Sequence, residues 1–274
     1  MYNFTIYTVK GCGKMLKPEN IKRIVIKIGT STLTHRTGRL DLRHIETLTR
    51  VLSDIKNMGL DVVLVTSGAI GVGMSKLGMT VRPKELRYKQ AAASVGQCEL
   101  MHIYDKFFLD YSQVVGQILI TKSDILEENR REKVENTFEA LFELGAIPVV
   151  NENDTTGVDE ILFGDNDTLS AEVAALVDAD LLIIFSDIDG LYDCDPREND
   201  DAKIIKRVTG INDDIRALAG GAGTKLGTGG MVTKIHAAEV CFENDIPMVI
   251  TNGAKLENTY DIIAGNVPGT LFMK

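Results

Sequence analysis

From Arg23 onward, short apolar runs alternate with segments of helical spacing. Residues 23–28 (RIVIKI), 61–66 (DVVLVT), 114–121 (VVGQILIT), 146–150 (AIPVV), 181–186 (LLIIFS) and 247–251 (PMVIT) read as strands. Leu42, Ile45, Leu48, Val51, Leu52, Ile55 and Met58 recur on one helical face, with Asp41 placed to cap that helix and Gly59 to end it. A long helical region over 83–111 reads as two helices, and 132–144, 168–177 and 231–243 read as further ones. Strands that are apolar throughout, alternating with helices, belong to a mainly parallel sheet covered on both faces. The predicted class is therefore α/β. Such sheets bind ligands at the carboxyl ends of their strands. Polar, glycine-bearing segments follow four of the strands here: GTS (29–31), SGAIGVG (67–73), NENDTTG (151–157) and SDIDG (186–190).

Length and charge narrow the choices. The chain has 274 residues, 44% of them hydrophobic, enough for one large domain or two small ones. A net charge of −9 argues against nucleic acid and anionic membranes as partners, since both call for a basic face. It leaves room for a small anionic substrate in a local basic pocket. No apolar run approaches the roughly 20 residues of a membrane span. The first twenty residues lack the apolar core of a signal peptide and do not join the later pattern; they read as an N-terminal extension, poorly ordered, with Met15 as an alternative start. Cys12, Cys98, Cys194 and Cys241 are scattered without a CxxC pair, which suits reduced thiols in a cytoplasmic protein.

The richest candidate for chemistry is 220–230 (GGAGTKLGTGG), with six glycines in eleven residues and MVTK directly after it. Glycines allow close backbone approach to a ligand, and the N-terminus of the helix that follows favours phosphate. Lys234 adds a fixed charge one turn in; a loop without a ligand is the plainer alternative. Lys27 is a second candidate, since a lysine within an apolar strand is costly to bury unpaired. Either it snorkels at an edge or it is aimed at phosphate from the strand end. The segment 66–73 fails the G-x-G-x-x-G dinucleotide pattern, because Lys76 stands where the third glycine would be, leaving a helix N-terminus with a serine hydroxyl. The clusters 151–154 (NEND) and 164–167 (GDND) supply acceptors for an ammonium and donors for a carboxylate, as an amino acid requires. Turn chemistry and helix capping by Asp167 are the plainer account of them. Segment 186–190 is no EF-hand, since its glycine comes at the fourth position. The acidic run 193–201 and the charged run 127–133 read as solvated. The four histidines make no metal spacing, and no Walker A sequence occurs.

Taken in order, IKIGTS (26–31), VTSGAIGVG (65–73), NEND (151–154), GDND (164–167), SDIDGLYDCDPR (186–197) and GTGGMVTK (227–234) resemble the amino acid kinase family, and within it the members that phosphorylate free glutamate. The resemblance runs from about residue 22 to 272. It implies a three-layer αβα sandwich around a mostly parallel, eight-stranded sheet, formed by a single domain over 21–274. It implies ATP-dependent phosphorylation of the side-chain carboxylate of L-glutamate to L-glutamyl 5-phosphate, the first step of proline synthesis. By the same resemblance Lys27 and Lys234 contact the transferred phosphoryl group and Asp167 orients them. Ser67, Asp154 and Asn166 bind glutamate, with the backbone of Gly68 and Ala69 nearby. Lys27, Ser186, Asp187, Thr228, Gly229, Gly230, Met231, Val232, Thr233 and Lys234 bind ATP, and Mg2+ is held mainly by the ATP phosphates. Where this family often has Thr-Asp, the chain has Ser186-Asp187, which keeps the hydroxyl. A homo-oligomer, dimer or tetramer, and proline as a feedback inhibitor are typical of the family. Many members carry a C-terminal PUA domain; with the sequence stopping just after PGTLF (268–272), none is expected here. The rival readings are a relative acting on acetylglutamate, carbamate, aspartate or UMP, and a nucleotide- or amino-acid-sensing module without catalysis.

Overall fold

A computed structural model describes residues 16–35, 37–157, 166–219 and 230–274. Its eight strands are β1 (Arg23–Ile28), β2 (Asp61–Val65), β3 (Val115–Ile120), β4 (Ile147–Glu152), β5 (Leu181–Ser186), β6 (Arg207–Val208), β7 (Met248–Asn252) and β8 (Thr270–Phe272). They form one sheet in the order β3-β4-β2-β1-β5-β7-β8-β6. Every neighbouring pair is parallel except β7 with β8. The helices are α1 (Thr30–Leu33), α2 (Leu42–Asn57), α3 (Ala69–Lys76), α4 (Leu86–Asp110), α5 (Lys122–Leu126), α6 (Glu128–Glu143), α7 (Asn166–Leu176), α8 (Asp213–Ala219), α9 (Met231–Glu243) and α10 (Asn258–Ile263). The α/β class and the mostly parallel sheet are those the apolar runs predict.

Two cores, one on each face, follow from the period of two along each strand. Ile24, Ile26 and Ile28 of β1 pack with Leu48 and Leu52 of α2 and Tyr104 and Phe108 of α4. Val25 of the same strand turns the other way, into a core with Phe138 of α6, Leu169 and Val173 of α7 and Ala238 of α9. Helices on both faces make the three layers. Asp41 caps α2 by accepting from the His44 N–H, and Gly59, with φ +92°, closes it.

Several boundaries differ from the sequence expectation. The region read as two helices contains one continuous helix of 25 residues, α4. Gly96 in its middle looks like a breaker, but it is a point of contact. A Cβ there would fall 1.8 Å from the carbonyl oxygen of Ala69, and one on Gly73 would fall 1.8 Å from that of Ala92. The two glycines let α3 and α4 touch backbone to backbone. Helix α7 begins at Asn166 rather than at 168, so Asp167 lies in its first turn instead of outside it as a cap. Strands β6 and β8 had no counterpart among the apolar runs; they are two and three residues long. Leu16 is buried and Pro18–Asn20 form a short 3-10 turn, while the rest of the presumed extension, residues 1–15, lies outside the described residues. Among the described residues no helix is long and apolar enough to cross a membrane, and Cys98, Cys194 and Cys241 are free thiols.

Candidate active site

The same alternation that builds the cores places Lys27. It follows Ile26 on β1 and therefore points to the face occupied by α7 and α9. β1 pairs with β2 on one side and β5 on the other, so Lys27 is central in the sheet and not a snorkelling edge residue. Its Nζ lies 2.5 Å from Asp167 Oδ1, in the first turn of α7. Lys234 Nζ, in the first turn of α9, lies 3.0 Å from Asp167 Oδ2. Two lysines 207 positions apart in sequence (234 − 27) thus share one carboxylate. The Thr233 hydroxyl stands 2.8 Å from the same Oδ2 and 2.7 Å from the Gly230 carbonyl.

This group is nearly dry. The Asp167 side chain is wholly buried, and those of Lys27 and Lys234 are 9% and 7% exposed. Burial alone would raise the Asp167 pKa; the two ammonium groups reverse this and hold its carboxyl well below the usual carboxylate range. Asp167 is therefore an anion that orients cations and a poor proton acceptor. One carboxylate between two ammonium groups leaves a surplus positive charge in a low-dielectric place, which is a site for an anion.

On one flank, a cleft of about 300 Å³ opens beside β5 and α9, lined among others by Ser186, Asp187, Tyr192, Arg197, Met231 and Lys234. Ser186 is buried at the end of β5, and its hydroxyl donates to Asp187 Oδ1 at 3.2 Å. Arg197 donates to Asp187 Oδ2 at 3.1 Å across the cleft. Lys234 belongs both to this cleft and to the lysine pair, so whatever fills the cleft ends at the surplus charge. Gly230, Met231, Val232, Thr233 and Lys234 form the cap and first turn of α9. Thr228 and Gly229, with the other residues of 220–229, and Gly164 and Asp165 of the second acidic cluster lie outside the described residues.

The other flank is built from amides and hydroxyls. Gly68, with φ +99°, turns the chain from β2 into α3, a conformation that favours glycine. Its missing side chain also admits Thr30: a Cβ there would stand 3.2 Å from that side chain. The turn presents Ser67, whose Oγ accepts from Asn166 Nδ2 at 2.9 Å. Asn166 Nδ2 also faces the Thr66 carbonyl and Asn151 Oδ1, so its two protons are shared among three acceptors. Ala69 opens α3, buried against α4. Asp154 follows β4 and is half-buried; burial raises its pKa, opposed by the positive charge of Arg82. Ser67, Asn166 and the lysine pair are thus brought together at the strand ends. Asn151, Arg82, Tyr192 and Arg197 were not singled out from the sequence. Asn151 stood inside NEND, and Arg197 inside the segment quoted for the resemblance.

The architecture is a three-layer α/β fold with a buried lysine pair sharing one carboxylate at its strand ends, and comparison with known proteins gives its family. The model of the amino acid kinase family matches residues 22–252, and the chain belongs to that family. Among curated relatives, the glutamate 5-kinase of Clostridium acetobutylicum is 56% identical over 254 residues, covering 93% of this chain and 95% of that one. The glutamate 5-kinase of Clostridium perfringens is 55% identical over 256 residues, with 92% and 95% covered. Among solved structures, UMP kinase from Ureaplasma parvum superposes with a TM-score of 0.65 at 16% identity, covering 93% of this chain and 99% of that one. Isopentenyl phosphate kinase from T. acidophilum gives 0.63 at 16%, with 92% and 100% covered. These two likenesses concern the fold alone.

Proposed function

We propose that the chain transfers the γ-phosphoryl group of MgATP to the side-chain carboxylate of L-glutamate, giving L-glutamyl 5-phosphate and ADP. The observation that carries this reading is the buried Lys27–Asp167–Lys234 group at the inner end of the cleft beside β5. Identity above 50% to glutamate 5-kinases over most of the chain supports glutamate as the acceptor.

The physical problem of this reaction is repulsion. The nucleophile is a carboxylate with an unperturbed pKa of about 4.3, ionised at neutral pH without help from a base. It must approach a polyanion in line with the bond to be broken. One carboxylate oxygen forms a bond to the γ-phosphorus as the bond to the bridging oxygen breaks and ADP leaves. Lys27 from the strand and Lys234 from the helix screen the approach and stabilise the equatorial oxygens from two sides. Asp167 keeps both ammonium groups aimed at that point. ATP lies in the cleft against Ser186, Asp187 and residues 230–234, with its phosphates on the N-terminus of α9. Glutamate lies against Ser67, Asp154, Asn166 and the backbone of Gly68 and Ala69, Asp154 answering its ammonium.

Mg2+ enters with ATP as part of the substrate and neutralises phosphate charge. On this reading it is held mainly by the ATP phosphates. Proline would compete for the amino-acid pocket, and the enzyme would work as a dimer or tetramer; inhibition kinetics and sedimentation test these two points.

The direct test is incubation with MgATP, glutamate and hydroxylamine, which traps an acyl phosphate. Glutamyl hydroxamate formed in step with ADP is the expected result. ADP without hydroxamate, or neither product despite ATP binding, would refute the reading.

A further inference from the structure

Three side-chain amides from three elements form one hydrogen-bonded chain beneath the amino-acid flank. Gln97, midway along α4, accepts at Oε1 from Asn151 Nδ2 at 2.8 Å. Asn151, on β4, accepts at Oδ1 from Asn166 Nδ2 at 2.8 Å and from the Glu152 backbone N–H at 2.9 Å. Asn166, at the start of α7, donates in turn to the Thr66 carbonyl and to Ser67 Oγ. Gln97 is 7% exposed and Asn151 2%.

An isolated amide can be turned end for end, because its oxygen and nitrogen have the same shape. None of these three can. A backbone N–H only donates, so Glu152 demands the oxygen of Asn151. That leaves Nδ2 of Asn151 facing Gln97, which must answer with its own oxygen. At the other end the Thr66 carbonyl only accepts, so Asn166 must bring its nitrogen. Two backbone groups therefore set the direction of all three amides. On the proposed reading Asn166 Oδ1 is then the acceptor for the substrate ammonium.

The arrangement leaves a defect at its far end. Gln97 Nε2 is buried and has no partner among the described residues. A side chain that merely filled this space would be apolar and would bury no orphan donor. What glutamine supplies here is an oxygen held against Asn151. The position itself is rigid, since Gly96 beside it packs directly on Ala69 of α3.

We infer that Gln97 is a positioning residue for the amino-acid substrate. Through Asn151 it braces the amide of Asn166, whose direction the two backbone groups set, in the place where it receives the substrate ammonium. The inference rests on the pocket assignment proposed above. It places a determinant of glutamate affinity on α4, one amide removed from Asn151 and two from Asn166.

The test compares steady-state constants for the wild type, Gln97→Met, Gln97→Glu, Asn166→Ala and the Gln97→Met/Asn166→Ala double variant, with thermal melts to confirm folding. Gln97→Met should raise KM for glutamate by about tenfold while KM for ATP stays within about twofold. Gln97→Glu, which keeps an oxygen opposite Asn151 Nδ2, should hold KM for glutamate within about threefold. In the Asn166→Ala background, Gln97→Met should add less than about twofold, because both act through one amide. A folded Gln97→Met protein with unchanged KM for glutamate, an equal rise for both substrates, or multiplicative effects in the double variant would overturn the relay. If Gln97→Met does not fold, Gln97→Glu decides, and a tenfold rise with that variant counts against the inference on the scale of about tenfold set above. A wild type that neither binds nor phosphorylates glutamate overturns the pocket assignment itself, and the relay with it.

Discussion

Replacing Asp167 by asparagine removes one charge from a buried group of three, and the structure determines what should follow. The side chain keeps its size and its place in α7, so the change is electrostatic. Lys27 and Lys234 lose a carboxylate at 2.5 and 3.0 Å and stay 9% and 7% exposed. At an effective dielectric constant of about 20, unit charges about 3 Å apart interact by roughly 5 kcal/mol, most of which offsets desolvation. Removing one partner of such a buried pair costs about 3–5 kcal/mol. For domains of about 150–250 residues each kcal/mol moves Tm by about 2–4 °C, so Asp167→Asn should melt about 6–20 °C below the wild type. The sign of the pH dependence follows from the depressed Asp167 pKa. Its stabilisation is fully present above the unfolded-state value of about 3.9 and is lost as pH falls below it. The gap in Tm should be widest near neutrality and close in acid. Anion binding should move the other way. With two uncompensated ammonium groups, the variant should gain more Tm from MgATP than the wild type does. Its kcat for glutamyl hydroxamate should still fall about 100-fold, because the lysines lose their aim. Scanning fluorimetry with and without MgATP, together with the hydroxamate assay, reads all three effects. An unchanged Tm, an equal or smaller nucleotide shift, and kcat within about threefold of the wild type would refute the role given to Asp167.

Other changes test other parts of the site. Lys27→Ala and Lys234→Ala should each lower kcat by about 100-fold or more with a much smaller rise in KM for glutamate; near-normal kcat removes that residue from the chemistry. Asp154→Ala should chiefly raise KM for glutamate, by about tenfold or more, and an unchanged KM places the amino acid elsewhere. Since burial raises the Asp154 pKa, KM for glutamate in the wild type should begin to rise, as pH falls, above the ordinary carboxylate range near about 4. A KM flat from neutrality down to about pH 4 would contradict this. Gly96→Ala would press a methyl to 1.8 Å from the Ala69 carbonyl, so α3 must move. Its cost should be about 1–3 kcal/mol by denaturant melts, with glutamate binding impaired more than ATP binding.

The central sheet was legible because β1, β2, β5 and β7 are apolar runs buried on both faces, a signature that needs no alternation. The edge was not: β6 and β8 pair over two or three residues, too few to show any period. At the site, the residue types were legible but their meeting was not. Lys27, Asp167 and Lys234 come from β1, α7 and α9, and only the crossovers of the sheet bring them to one point. The parity of β1 did hold a clue, since Lys27 must share a face with Val25 and oppose Ile26. Gln97 carried a weaker one. It lies on the helical face of Ala93, Leu100 and Tyr104, a polar side chain in an apolar stripe.

The strand order has a further consequence. With β1 near the middle, β2 and β4 of the amino-acid flank lie on one side of it, while Asn166 comes from α7 after β4. The cleft elements (β5, α8 and α9) come later in the chain and lie on the other side. Lys27 sits on the seam between them. On the proposed reading the molecule is thus a nucleotide module and an acceptor module joined along one strand. Acceptor choice could then be rebuilt by grafting the segments from β2 to the start of α7 of a sister kinase, leaving the cleft beside β5 and α9 untouched.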